Sequence, residues 1–254
     1  MSGSDSTQEW TVGSDDDMDN SSDIHISWKG SEGPFLSDIQ PCPEFIKAYY
    51  TAYKGLAKGS SSHQALPPEL ALYICRLAEF ESWYTKKAPA GRKRVYASSQ
   101  DVQSLMWFQT EPFTKQMLHR IKSVQLVTMS RHQGWVSDRD AGSWSWFEFC
   151  ITGPTDQSTT RAAVKCRPNG DEMSWYCLEH PVDHETADIQ DEFAEHKSSV
   201  FDSDHELWTQ IEEGDVLQVV MKARFGGWSN TASDGILRIG TWWEPSVEML
   251  NLMN

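Results

Sequence analysis

The stretch SRHQGWVSDRDAGSWSWFEF (130–149) gathers side chains well suited to gripping a ligand. Arg131, Asp138 and Asp140 can orient a partner by charge, His132 can donate or accept a proton, and Trp135, Trp144 and Trp146 offer flat apolar faces. Tryptophan faces hold sugar C–H surfaces or peptide side chains, and a few convergent polar groups supply orientation. A second stretch, ARFGGWSN (223–230), carries Arg224, Trp228 and Asn230 around a Gly226-Gly227 pair that permits a turn or bulge. Were both stretches to end at one edge of a sandwich, they would form a cleft with Arg131, His132, Arg224 and Asn230 on its rim. The competing structural reading makes these tryptophans scaffold, with Trp228 plugging a corner. Alternation in WSWFEF puts Trp144, Trp146 and Glu148 on one face and turns Phe147 and Phe149 to the other, toward the core.

Other chemistry finds thinner support. Cys166, Cys177, His180 and His184 can be written as a zinc-like series, but structural zinc sites favour tighter paired spacings. A sandwich glycosidase needs two carboxylates flanking one bond, and Glu148 has no acidic companion at 146 or 150. His180, His184, Glu179 and Asp183 could supply an acid/base pair, yet no nucleophile elbow, P-loop or dinucleotide fingerprint accompanies them. No cofactor or metal is expected, and a binding protein is favoured over an enzyme. An unrecognised hydrolase or zinc-binding protein stands as the third alternative.

Charge narrows the partners. With 37 acidic against 22 basic residues and a net charge of −15, the chain repels phosphate backbones, so nucleic acid is not expected as the main partner. No apolar run approaches the ~20 residues of a membrane span. The start MSGSDSTQEW lacks a signal-peptide pattern, and the odd, unpatterned set of five cysteines reads as reduced thiols. An intracellular, cytoplasmic location is therefore expected. Lys86, Lys87, Arg92, Lys93 and Arg94 form a basic cluster that reads either as a solvated linker, as a dock for the Asp-rich N-terminus, or as a nuclear import signal.

The elements that must position these residues follow from periodicity. Residues 1–40 are polar and acidic, and too poor in apolar side chains to offset their ordering entropy. PEFIKAYYTAYKGLAKG (43–59) has the three- and four-residue steps of an amphipathic helix. LPPELALYICRLAEFESWYTKK (66–87) reads as a second helix opened by Pro67 and Pro68, with Leu70, Ile74, Leu77, Ala78 and Trp83 as its buried stripe. Beyond it the period becomes two: 124–130, 144–152, 161–167, 174–180, 215–225 and 235–243 read as strands. The acidic stretch 183–204 reads as a partly helical excursion. The expected fold is mainly β, an antiparallel β-sandwich of jelly-roll or galactose-binding-like type with two N-terminal helices. Its expected parts are a disordered 1–40, a helical segment with basic linker over 41–95, a sandwich over 96–246 and a tail over 247–254.

Two resemblances attach to these motifs. Leu66, Pro67, Glu69, Leu70, Ile74 and Leu77 resemble the opening of an F-box, which implies binding to a Skp-type ubiquitin-ligase adaptor. Across 66–243, LPPEL, SRHQGW, SWSWFE and GDVLQVVMKARFGGWSN resemble an uncharacterised fungal group with an LPPE-type helix before a β-rich domain. His132 stands where that group usually has Asp, and Gly226 where it usually has Pro. The arrangement is also similar to F-box-associated sandwich domains, which capture a substrate or a sugar. The expected function is a non-enzymatic interaction or substrate-receptor module with a protein partner, the alternative being a carbohydrate-binding module that uses the same tryptophans on a glycan.

Overall fold

A computed structural model describes residues 43–134, 142–153, 163–182 and 192–243, together with the backbone of 37–38. Two antiparallel sheets face one another, preceded by a pair of helices. In chain order come β1 (Ser37–Asp38), α1 (Pro43–Lys58), α2 (Pro68–Leu77), β2 (Glu81–Lys87), β3 (Lys93–Tyr96) and β4 (Gln103–Gln109). Then follow α3 (Lys115–Leu118), β5 (Ile121–Arg131), β6 (Ser145–Thr152), β7 (Ser174–Glu179), β8 (Ala194–Lys197) and β9 (Phe201–Asp202). The order closes with α4 (Leu207–Gln210), β10 (Val216–Ala223) and β11 (Ser229–Trp242).

The larger sheet runs β1-β2-β11-β5-β8, with β3 also on β11 and β9 also on β5. The smaller runs β4-β10-β6-β7. Alternation decides what each strand buries. Phe147, Phe149 and Ile151 of β6 and Leu217, Val219 and Met221 of β10 meet Val124 and Leu126 of β5 and Leu237 and Ile239 of β11 in one core. Trp107 of β4 lies so close over Gly235 of β11 that a Cβ there would overlap its ring. The glycine is required by that approach. The expected sandwich, and the inward turn of Phe147 and Phe149, are what the structure has.

Four sequence expectations need correction. The second helix stops at Leu77 rather than running to 87: Glu79 takes a left-handed φ of 58°, and ESWYTKK alternates as β2 against β11. The basic stretch assigned to a linker in the 41–95 segment contributes β2 and β3 to the larger sheet, and Lys86 is buried beside Glu111 at 3.0 Å. Residues 163–167 make only isolated bridges, Thr152 to Val164 and Cys166 to Glu172, instead of a strand. The excursion expected over 183–204 contains β8 and β9. Its first part, like the segments 1–36 and 247–254, lies outside the described residues.

The helices form a hairpin. Leu66 N–H donates to Leu56 O at 2.9 Å, and Gly59, at φ 67°, makes the reversal where a Cβ would collide with His63 and Gln64. Tyr49 of α1 packs edge-on to Trp243 at 4.4 Å and to Phe80 at 5.0 Å, which seats the hairpin against the end of β11. No helix among the described residues is long and apolar enough to cross a membrane.

Candidate functional site

The two aromatic stretches meet. β5 ends at Arg131 and β11 begins at Ser229, with Thr231 opposite Arg131 and Asn230 opposite Val95 of β3. Gln133 Oε1 accepts from Ser229 N–H at 3.2 Å, and the His132 and Trp228 rings lie 6.0 Å apart. The turn between β10 and β11 holds Phe225 at φ 65° and Gly227 at φ 100°, clamped by Gly227 N–H to Ala97 O (3.0 Å) and Ala97 N–H to Trp228 O (2.9 Å).

That meeting point is internal. His132, Trp228 and Asn230 are buried, so they form a polar seam between the sheets instead of the expected rim. Asn230 Nδ2 donates to Trp146 O at 2.8 Å. His180, beyond β7, joins Ser145 Oγ (2.8 Å) and Ser130 Oγ (3.0 Å), linking β6 to β5. His196 of β8 stands 5.3 Å from it, ring to ring. Burial, reinforced by the neighbouring His196 and His132, holds His180 well below the usual imidazole range, and burial also lowers His196. Both His180 nitrogens are engaged by hydroxyls, and Cys177 Sγ donates to Phe147 O at 3.3 Å, so neither is aimed at a shared metal. His184 lies outside the described residues, as do Trp135, Asp138 and Asp140. Among the described residues no group of three or more His, Cys, Asp or Glu is arranged around an ion.

The remaining tryptophans are half-buried. Trp144 meets Phe225 edge-on at 4.7 Å, and the exposed Arg224 stacks on the same ring at 4.8 Å while its Nε donates to Gln100 O. Trp146 shares the outer face of the smaller sheet with Glu148 and donates to it through Nε1 at 2.6 Å. Glu148 also takes Lys222 Nζ at 2.6 Å and the Ser174 hydroxyl. Burial alone would raise its pKa, but donation from Lys222, Ser174 and Trp146 outweighs that and holds the carboxyl below its usual range. A carboxylate saturated in this way is a structural anion and a poor proton donor. Burial pushes the Cys150 and Cys177 thiols up, away from the nucleophilic thiolate. An open depression of about 210 Å³, lined by Tyr84, Met117, Arg120 and Thr241 among others, includes none of the sequence-selected residues.

The helix hairpin presents the clearest surface feature. On α2, Leu70, Tyr73, Ile74 and Leu77 are 51, 58, 39 and 66% exposed, while the small Ala71 and Cys75 are buried. The stripe that the sequence assigned to the core therefore faces outward. Ala71 and Cys75 allow α1 to come close, and Cys75 reaches Tyr49. Glu69 and Pro67 are exposed and Leu66 is half-buried in the hairpin. Tyr73, which the sequence reading leaves out, completes an i, i+3, i+4, i+7 row. Missed too was the contact of Phe193 with Arg92 and Arg131, which local alternation could not join because the three lie far apart in the chain.

No protein-family model matches the chain, and no curated protein does. Among solved structures it is similar to the structure of infectious bursal disease virus Gx strain, at 10% identity over 63% of this chain and 32% of that one, with a TM-score of 0.29. It is also similar to the infectious bursal disease virus VP2 subviral particle, at 12% identity over 67% of this chain and 43% of that one, with a TM-score of 0.17. The chain spans about a third of the length of the first and less than half of the second. Likeness of this degree carries no conclusion about what this chain does.

Proposed function

We propose that the protein is a non-enzymatic interaction module, in which α2 docks a Skp-type adaptor and the sandwich serves as substrate receptor. The exposed stripe Leu70, Tyr73, Ile74 and Leu77 carries this reading. Fully burying a Leu, Ile or aromatic side chain is worth about 1.5–3 kcal/mol, so leaving four of them roughly half in water forgoes on the order of 4 kcal/mol. A groove-lined partner would recover that energy through the anchor spacing used in helix-in-groove recognition. The stripe begins at Leu70, the last residue of the LPPEL motif, with Pro67 and Glu69 exposed just before it, which supports an adaptor as occupant.

His180, Cys177 and Glu148 are each engaged in holding the sandwich together, which speaks against catalysis as the main role. A glycan platform has less support: Trp228 is buried, and the Trp146 N–H is used by Glu148. The test is a pulldown of recombinant Skp-type adaptor with the purified full chain and with an L70S/L77S variant. Retention by the wild type and loss by the variant is the expected result. Equal retention by both, or none by either, would remove the adaptor reading.

A further inference from the structure

We infer that the free edge of β7, with Tyr176 and Glu179 beside it, docks an extended, arginine-bearing segment of a protein partner. The inference names a substrate class for the substrate-receptor reading and rests on that reading for its purpose, but its geometry is independent of α2. β7 closes one margin of the smaller sheet and has β6 as its neighbour on one side. Among the described residues no strand pairs with its other side. Backbone N–H and C=O groups along such an edge are a template for a further strand.

A bulge aims the side chains. Trp146 of β6 stands opposite Glu179, and Glu148 opposite Tyr176, while the register shifts between Phe147 and Glu148 so that Cys177 has no opposite number. Tyr176 and Glu179, three apart in sequence, therefore face outward together, and Cys177 and Leu178 both turn to the core. The Tyr176 hydroxyl donates to Glu179 Oε2, which fixes the ring beside the carboxylate. Tyr176 remains 52% exposed, and Glu179 is exposed as well. The half-buried Trp146 continues the aromatic surface inward from the edge.

Charge selects the occupant. Lys222 is committed to Glu148, so that pair brings no net charge to the face. Glu179 has no cationic partner among the described residues, nor has the exposed Glu172 just ahead of the strand. A chain with a net charge of −15 draws cations to such a margin and repels acidic partners. Arginine fits both groups at once: its planar guanidinium stacks on the Tyr176 ring while its N–H fork reaches Glu179 Oε1. Alternate side chains of an added strand project to one face about 7 Å apart, so a second arginine four positions along comes level with Glu172.

Fluorescence anisotropy on the full chain tests this with a labelled peptide of about ten residues alternating Arg and Ser, long enough to cover the six residues of β7. The peptide is expected to bind saturably and to weaken as salt rises from about 0.05 to about 0.5 M. E172Q/E179Q should weaken it by at least about tenfold, the loss of two charge-assisted pairs. Y176A, which removes the ring but no charge, should weaken it about two- to fivefold. E44Q/E213Q, equal in charge change and set on α1 and in the turn before β10, should alter it less than about twofold. A fully N-methylated peptide, with no N–H to pair along β7, should bind at least about tenfold more weakly. L70S/L77S should bind the peptide normally, so failure of the adaptor reading and failure of this one are told apart. No saturable binding up to about 1 mM would overturn the proposal. So would equal losses in the two charge variants, wild-type affinity in Y176A, or undiminished binding of the N-methylated peptide.

Discussion

Lowering the pH from 7.5 to 5.5 should destabilise this sandwich through His180. His180 is buried, and its two nitrogens bridge Ser145 of β6 and Ser130 of β5, with His132 and His196 nearby. Burial lowers its folded pKa well below the 6.5 of a free imidazole, so below that value the unfolded chain takes up a proton that the folded one refuses. The sign follows: stability is highest above pH 6.5 and falls as the pH drops toward the folded pKa. Between pH 7.5 and 5.5 the loss from this one group is on the order of 1 kcal/mol, set by proton uptake in the unfolded chain. For a chain of this size that corresponds to about 2–4 °C in Tm. Thermal unfolding at both pH values, each above the pI near 4.9, is the assay, with H180Q as comparison. The variant starts lower, by about 1–3 kcal/mol for the disturbed bridge, but its two curves should lie closer together than those of the wild type by the stated amount. Parallel pH responses in the two proteins would refute the reasoning.

Other perturbations separate scaffold from surface. E148A should destabilise by about 3 kcal/mol, since it strands the Lys222 ammonium on a face where both partners are mostly buried, and chemical denaturation reads this directly. G235A should cost about 2–3 kcal/mol, because the added Cβ overlaps the Trp107 ring across the core; a midpoint within experimental error of the wild type would contradict that packing. L70S/L77S should leave stability within about 0.5 kcal/mol or raise it, because its side chains already face water. A large loss there would mean that the stripe is covered.

The sandwich was legible because its central strands alternate without interruption: SWSWFEFCIT and DVLQVVMKA each send Phe, Leu, Val or Met inward at every second residue. The strands that escaped are those at the sheet margins. ESWYTKK and KRVY carry Lys, Arg and Glu on their outer side, and an amphipathic helix immediately precedes them, so local pattern extended the helix and tertiary pairing with β11 decided otherwise. α2 shows the converse limit. Its periodicity was read correctly, but periodicity does not say which face meets protein, and the small residues Ala71 and Cys75 won the interior over Leu70 and Leu77. The meeting of SRHQGW with ARFGGWSN was foreseeable from their places at strand ends. The burial of Trp228, His132 and Asn230 was not, because it depends on the histidine seam assembled from β5, β8 and the end of β7. Arg92 and Phe193, 101 positions apart, share a ring contact that no local pattern encodes.

The central claim is that α2, rather than the sandwich, engages the adaptor. Hydrogen exchange of the purified full chain, with and without saturating Skp-type adaptor, tests it most directly. Exchange should slow across 68–77, where the stripe sits, and remain unchanged in β5, β6 and β11. Protection confined to the sandwich, or none on α2 at saturation, would contradict the account.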